Sequence, residues 1–235
     1  MTSAGLDELL HHPSVWRASS AEGAPKTLPT GFRRLDERQP PPGRLDERLP
    51  GGGWPLDTLI ELLLPAHGVG ELNLLVPALQ ELGNGVPGPR RWIAWIEPPH
   101  LPYAPALAGA GLDPARMLIV QPRGRCVGPV PRGTRPGAAP DPALWAMEQA
   151  LRSGACAAAL GWADAADSNS LRRLKLAAEE GGSLGILFRP QRRAGEPSPA
   201  SLRLLLEPRG RSLDVLVLKS RGGTPGRVDG VVSRE

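Results

Sequence analysis

Apolar runs of strand length alternate with helix-forming segments along most of this chain, and this alternation constrains its fold more than any other feature. Largely apolar runs, typical of strands buried on both faces, lie at 58–64, 91–97, 117–121, 155–161 and 184–188. Helix-forming segments lie between them, at 71–82, 102–111, 142–153 and 168–180. Two later strands, 201–207 and 213–219, are separated by a short turn, which predicts an antiparallel pair.

These patterns predict an α/β domain with a mostly parallel central sheet, helices on both faces and a C-terminal antiparallel extension. We expect three parts along the chain: an N-terminal helix and linker (1–27), the core domain (28–221) and a flexible tail (222–235). A tandem RLDER repeat at 34–38 and 44–48 is too short for a solenoid and is expected to lengthen a loop or a helix start.

The N-terminal helix is too short to be stable by itself, so its apolar side chains are expected to dock on a partner or on the core domain. These docking residues are Leu6, Leu9, Leu10 and Trp16.

Composition favours a cytoplasmic protein. The 235 residues carry a net charge of +4, which is compatible with nucleic acid, with an acidic partner, or with ordinary solubility. The two cysteines, Cys126 and Cys156, form neither a disulfide framework nor a paired-cysteine metal motif. No apolar run approaches the roughly 18 residues of a membrane span, and no signal peptide is evident. We therefore expect no membrane partner, no metal and no cofactor.

The turn after the first core strand has the layout of a phosphate-binding loop without its chemistry. A phosphate loop, G-x-x-x-x-G-K-S/T, uses backbone N–H groups, a lysine and a magnesium-binding hydroxyl. Here Gly68 and Gly70 supply glycines, but Glu71 takes the lysine position and Leu72 the hydroxyl position. A carboxylate about 4 Å from a phosphate repels it by roughly 1 kcal/mol even in bulk water. The loop is therefore expected to be a vestigial nucleotide site, with weak residual binding as the alternative.

Segments before and after this loop resemble RecA. Residues 28–32 (LPTGF) and 51–55 (GGGWP) resemble the series that precedes the first core strand of RecA. Glu97 follows a strand similar to the one that ends at the catalytic glutamate of RecA, whereas Trp162 stands where RecA has a magnesium-linked aspartate. The resemblance spans about 28–227. It implies a RecA-like P-loop NTPase core that has lost catalysis.

A longer set of motifs resembles the ImuA-type accessory proteins of damage-induced translesion synthesis. It includes 68–72 (GVGEL), 95–99 (WIEPP), 102–107 (PYAPAL), 148–156 (EQALRSGAC) and 219–223 (KSRGG). The resemblance implies a non-catalytic adaptor in the SOS response. Its implied partners are a Y-family polymerase homologue of the ImuB type and an alternative DNA polymerase III alpha-type subunit, with the RecA filament and DNA as further candidates.

Two groups of basic residues are candidate contacts for these partners. Lys219 and Arg221 are similar in placement to a lysine pair of RecA that reaches the ATP of a neighbouring subunit, which implies a contact across a subunit interface. Arg189, Arg192 and Arg193 belong to a predicted loop and are candidates for salt-dependent phosphate contact. Solvated basic side chains are the alternative for both groups.

Two other functions stay open. The first is an active RecA-class ATPase or recombinase, which would show ATP turnover. The residues at four positions argue against turnover: Pro65, Glu71, Leu72 and Trp162. The second open function is inhibition of cell division, because the distant relatives of RecA include SulA. Co-purification of FtsZ, rather than of a polymerase homologue, would favour it.

Overall fold

The computed structural model describes residues 26–32, 45–84, 91–122 and 141–233. A two-stranded ribbon pairs β1 (Thr27–Leu28) with β2 (Trp54–Pro55). The other strands are β3 (Leu59–Leu64), β4 (Trp92–Ile96), β5 (Met117–Val120), β6 (Cys156–Trp162), β7 (Leu184–Pro190), β8 (Leu202–Arg209), β9 (Ser212–Ser220) and β10 (Gly226–Ser233). The α-helices are α1 (Leu45–Arg48), α2 (Glu71–Asn84), α3 (Ala104–Gly109), α4 (Pro142–Arg152) and α5 (Ser168–Gly181).

One eight-stranded mixed sheet forms the centre, in the order β10-β9-β8-β3-β7-β6-β4-β5. The six strands from β8 to β5 pair in parallel, while β9 and β10 add antiparallel pairs at one side. The predicted mostly parallel sheet with an antiparallel C-terminal extension is therefore confirmed. Because β3 lies between β7 and β8, its carboxyl end and the loop that follows it stand at the middle of the sheet.

Helices cover both faces of this sheet. Leu74, Leu75 and Leu79 of α2 join the core on one face, which we call the α2 face. Leu144 of α4 and Leu171 of α5 join the core on the other, the α4–α5 face. The continuously apolar strands are explained by this double coverage, since both sets of alternating side chains are buried.

The segment before β3 is fixed against α2. Leu28 and Trp54 are register partners in the β1–β2 ribbon, and both are buried. Gly31 has a φ of 83°, and a Cβ at this position would overlap Pro77 of α2. Pro77 lies inside α2, which runs from Glu71 to Asn84 as one element.

The predicted flexible tail is wrong for most of its length. Residues 226–233 form β10, which pairs with β9 and buries Val228 and Val232. The pairing shifts register between these two valines, where Gly230 has a φ of 63°. This irregularity breaks the alternation of apolar residues by which a strand is found in a sequence.

Candidate functional site

The loop between β3 and α2 has the predicted strand, glycine turn and helix. Gly68 and Gly70 have φ values of 79° and 102°, a region that favours glycine. α2 begins at Glu71, directly after the loop, and the N–H of Leu74 bonds to the carbonyl of Gly70 at 3.2 Å. The N-terminus of a helix attracts anions through its free N–H groups and its dipole. The backbone framework of an anion site is therefore present here.

The side chain of Glu71 fills that framework. Its Oε1 accepts a hydrogen bond from the backbone N–H of Gly68 at 2.8 Å. Glu71 is 4% exposed, and its Oε2 is buried without a hydrogen-bond partner among the described residues. A carboxylate in the first turn is stabilised by the helix dipole. The loop therefore holds an anion that belongs to the chain itself, at the position where a phosphate loop has its lysine.

Of two neighbouring positions of the RecA-like site, one has lost its polar group and the other, Glu97, keeps a carboxylate. Leu72 is partly buried against the core of the α2 face, so the hydroxyl position has become a packing position. Glu97 is exposed just after β4, and its N–H bonds to the carbonyl of Val120 at 2.8 Å. Its φ of 52° is unusual for a residue with a side chain.

Trp162 ends β6 within a stack of aromatic rings. Its ring centroid lies 5.7 Å from that of Trp95 on β4 and 4.6 Å from that of Phe188 on β7. The indole N–H groups of Trp95 and Trp162 are buried without hydrogen-bond partners among the described residues. An apolar stack thus stands where the resemblance to RecA implies a metal-linked carboxylate.

Arg189 lies in the core, not in a surface loop. It belongs to β7 and is 2% exposed. Its guanidinium donates to Glu61 Oε1 at 2.9 Å, to the carbonyl of Ala166 at 3.1 Å and to Glu196 Oε2 at 3.1 Å. The expectation that Arg189 contacts phosphates is therefore corrected, because this side chain is needed to neutralise a buried carboxylate.

Glu61 has a second arginine partner that the sequence analysis did not single out. Arg203 on β8 donates its Nε–H to Glu61 Oε2 at 2.6 Å. Its other nitrogens donate to the carbonyls of Arg193, Ala194 and Glu196, at 2.9 to 3.2 Å. Arg203 therefore ties the segment that follows β7 to the sheet.

Arg192 and Arg193 lie together beyond the end of β7 and are paired with carboxylates. Both contact Asp164, and Arg193 also donates to Glu196 at 2.6 Å. This bond from Arg193, with burial opposing it, lowers the pKa of Glu196. The predicted group of three arginines is thus divided: one side chain is buried, and two are solvent-accessible ion-pair partners.

Lys219 lies near the end of β9, and Arg221 directly follows that strand. The Nζ of Lys219 donates to the carbonyl of Ser198 at 2.8 Å, and Lys219 faces Arg203 across the β8–β9 pair. Burial, together with the positive charges of Lys175, Arg203 and Arg221, lowers the pKa of Lys219. Arg221 is exposed. Of this pair, only Arg221 has its side chain fully at the surface.

The remaining candidate residues lie outside the described part of the chain. These are the docking residues Leu6, Leu9, Leu10 and Trp16. The sequence offers a signal for Glu61 and Arg203, because each is a charged residue within an apolar run (LIELLL and LRLLL). Charges in such positions predict buried ion pairs.

The described residues form neither a metal-ligand cluster nor a helix that could cross a membrane. Among residues 26–32, 45–84, 91–122 and 141–233, no three His, Cys, Asp or Glu side chains are grouped so that they could hold a metal ion. None of the described helices combines the length and the apolar character that crossing a membrane requires.

Comparison with known proteins places this chain near one group. No protein-family model matches it. It is 32% identical over 118 residues to the cell division inhibitor SulA of Edwardsiella piscicida, covering 50% of this chain and 59% of that protein. It is 30% identical over 132 residues to the cell division inhibitor SulA of Serratia proteamaculans, covering 56% of this chain and 67% of that protein. The chain thus spans less than two thirds of the Edwardsiella relative.

A solved structure is also similar. The crystal structure of SulA from Pseudomonas aeruginosa shares 26% identity with this chain, with a TM-score of 0.39. The match covers 56% of this chain and 97% of that one.

Proposed function

This chain belongs to the SulA-related superfamily, and from that premise we propose that it is a non-catalytic component of the SOS response to DNA damage that restrains cell division by binding a protein. The names of its relatives, cell division inhibitors, support the division target. Those relatives match 50% and 56% of this chain, so its partner and its activity are both part of the proposal.

The observation that carries the non-catalytic part is the hydrogen bond from the Gly68 N–H to Glu71 Oε1, at 2.8 Å. A triphosphate would have to displace this carboxylate and then lie beside it, which Coulomb repulsion opposes. Trp162 and Leu72 offer neither a carboxylate nor a hydroxyl to magnesium. The protein would therefore act by binding a partner protein, without catalysing a reaction.

A second candidate is a translesion-synthesis accessory role of the ImuA type, on a RecA-like core. It is favoured by the way the RecA-like entry segments are built into the fold: Leu28 pairs with Trp54, and Gly31 packs on α2. About half of the chain also lies outside the matches to the division inhibitors. In this role the partners would be a Y-family polymerase homologue and an alternative polymerase III alpha-type subunit, with RecA filaments and DNA as further candidates.

Sedimentation of FtsZ polymers tests the first candidate. Purified full-length chain is mixed with FtsZ and GTP, and pelleted FtsZ is measured as the chain is titrated to equimolar amounts. We expect pelleted FtsZ to fall as the chain is added. The same loss is expected with and without ATP, because the chain's own loop is closed by Glu71.

Co-purification from damaged cells separates the two candidates. Recovery of FtsZ with the tagged chain would support the division role. Unchanged FtsZ polymer, together with recovery of a Y-family polymerase homologue, would overturn that role and favour the accessory one.

A further inference from the structure

The antiparallel part of the sheet is packed into a core on one face only. β3 is buried along its whole length, whereas β8 and β9 include half-buried positions. Val215 and Val217 of β9 belong to the core of the α2 face, so Leu216 between them points to the other face. Leu205 is its register partner on β8, and both leucines are half-buried. Among the described residues, the core of the α4–α5 face includes none from β8, β9 or β10.

Three cations border this leucine pair, Leu205 and Leu216. Burial lowers the pKa of Lys219 on β9, and the nearby charge of Lys175 on α5 lowers it further. Arg221 is exposed, and its N–H bonds to the carbonyl of Ser201 at 2.9 Å. Glu179, which lies 3.6 Å from Lys175, balances one of the three charges. The border therefore keeps an excess of positive charge, which suits an acidic segment.

The chain enters the described fold beside this border. Lys26 Nζ lies 3.6 Å from Asp57 Oδ2. Asp57 is next to the end of α5, because a Cβ on Gly182 would meet its Oδ1 at 3.7 Å. The hydroxyl groups of Thr58 and Ser201 are hydrogen-bonded at 2.7 Å, which joins this point to the start of β8. The residues before Lys26 therefore leave the fold between the end of α5 and the start of β8.

The three internal segments outside the described residues begin and end elsewhere. Residues 33–44 follow Phe32 and precede Leu45, and both of these side chains pack in the core of the α2 face. Residues 85–90 lead to β4, and residues 123–140 follow β5, at the other side of the sheet from β9. Residues 1–25 are therefore the segment best placed to cover the leucine pair.

Residues 5–12 match this surface in pattern and in charge. Three leucines recur at the spacing of one helix face, with two acidic residues between them: Leu6, Asp7, Glu8, Leu9 and Leu10. No lysine or arginine precedes Arg17. The linker 13–25 reaches up to about 40 Å when extended. Leu216 lies four residues inside the end of β9, or about 14 Å along the strand, so the linker is long enough.

We propose that residues 5–12 dock as a helix on the leucine pair of their own chain, with their acidic side chains towards Lys175 and Lys219. Such a helix is too short to be stable alone, and it gains stability from an apolar surface. The linker holds it at an effective concentration on the order of millimolar, which favours this surface over one on a separate protein. The docked helix would compete with any partner for Lys219 and Arg221.

Disulfide trapping in the full-length chain tests this proposal. Leu9→Cys is combined with Leu216→Cys in a Cys126→Ser background, where the native Cys156 is buried. Under mild oxidation we expect a cross-link within one chain, identified by mass spectrometry of tryptic peptides. The control combines Leu9→Cys with Leu176→Cys, because Leu176 is 59% exposed on α5. Although Leu176 is the more accessible, its pair should cross-link about tenfold more slowly.

A charge exchange tests the basic border. Lys175→Glu should slow the cross-link to Leu216→Cys by about twofold to fivefold, and addition of Asp7→Lys should restore the rate. Circular dichroism of every variant should stay native. Equal rates for the two cysteine pairs, or a cross-link that forms only between two chains, would overturn the proposal. Neither outcome bears on the division role.

Discussion

Arg189 Nη1 lies 2.9 Å from Glu61 Oε1, and neither side chain is more than 2% exposed. The pair joins β7 to the central strand β3, and Arg203 completes the charge balance from β8. Three strands are therefore linked by one carboxylate. Removal of one partner from such a pair leaves a charge buried without compensation, which costs more than the pair itself contributes.

Arg189→Ala should lower the free energy of unfolding by roughly 3 kcal/mol, since among the described residues Glu61 then keeps Arg203 alone as an ion-pair partner. Arg192→Ala is the matched change at the surface, where the ion pair with Asp164 is exposed, and it should cost less than about 1 kcal/mol. Urea unfolding of the two variants measures both values. Equal losses in the two variants would show that Arg189 is not the buried partner described here.

Substitution of glycine by alanine is expected to have opposite effects on stability at two glycines that lie in helices. A Cβ at Gly83, near the end of α2, would meet nothing within 4 Å, so Gly83→Ala should stabilise the protein by about 0.5–1 kcal/mol. A Cβ at Gly181 would overlap the carbonyl oxygen of Leu151, so Gly181→Ala should destabilise it by more than about 1 kcal/mol. Thermal unfolding distinguishes the two. A stabilised Gly181→Ala variant would contradict the close approach of α4 and α5.

Asp167 caps α5 and should make its stability depend on pH. Its side chain accepts from the N–H of Ser170 at 2.7 Å, and this bond lowers the pKa of Asp167. The cap therefore contributes fully above the ordinary carboxyl pKa of about 3.9 and is lost as pH falls through the lowered value. Asp167→Ala should cost about 1 kcal/mol at neutral pH.

Asp167→Asn is the control, since asparagine caps a helix without titrating. Urea unfolding across the acid range should show the stability difference between wild type and Asp167→Ala shrinking as Asp167 is protonated. By contrast, the difference in unfolding free energy between Asp167→Asn and Asp167→Ala should not change with pH. A pH-independent gap between wild type and Asp167→Ala would contradict the capping role.

The sequence predicts those parts of the fold in which a continuous run of apolar residues indicates burial. β3 and β6 are continuously apolar because both faces are covered, and this pattern is visible without a structure. β10 was missed because Gly230 interrupts its short apolar pattern. Its place in the sheet depends on pairing with β9, and pairing is a tertiary effect.

The residue types of the candidate site could be predicted from the sequence, but their arrangement in space could not. The replacement of lysine by Glu71 can be seen in the sequence, whereas the bond from Gly68 to its carboxylate depends on the turn of the loop. Arg189 was placed in a basic loop because arginines and prolines follow it, and a sequence does not show that Glu61 lies beside it. The buried ion pair of Glu61 and Arg189 joins residues that are 128 positions apart.

Glu71 should stabilise the start of α2. Glu71→Ala removes the acceptor for the Gly68 N–H and the negative charge at the helix N-terminus, and should cost about 1 kcal/mol of unfolding free energy. Glu71→Gln keeps an acceptor and should cost less. Urea unfolding measures both variants, and a Glu71→Ala variant as stable as wild type would mean that the bond contributes nothing.

Calorimetric titration of the purified wild-type chain with magnesium-ATP tests the central claim most directly. Because the Glu71 carboxylate already occupies the loop and Trp162 lies in an aromatic stack, we expect no saturable heat of binding and no phosphate release. Tight, magnesium-dependent binding accompanied by hydrolysis would contradict the claim that this protein acts without turnover.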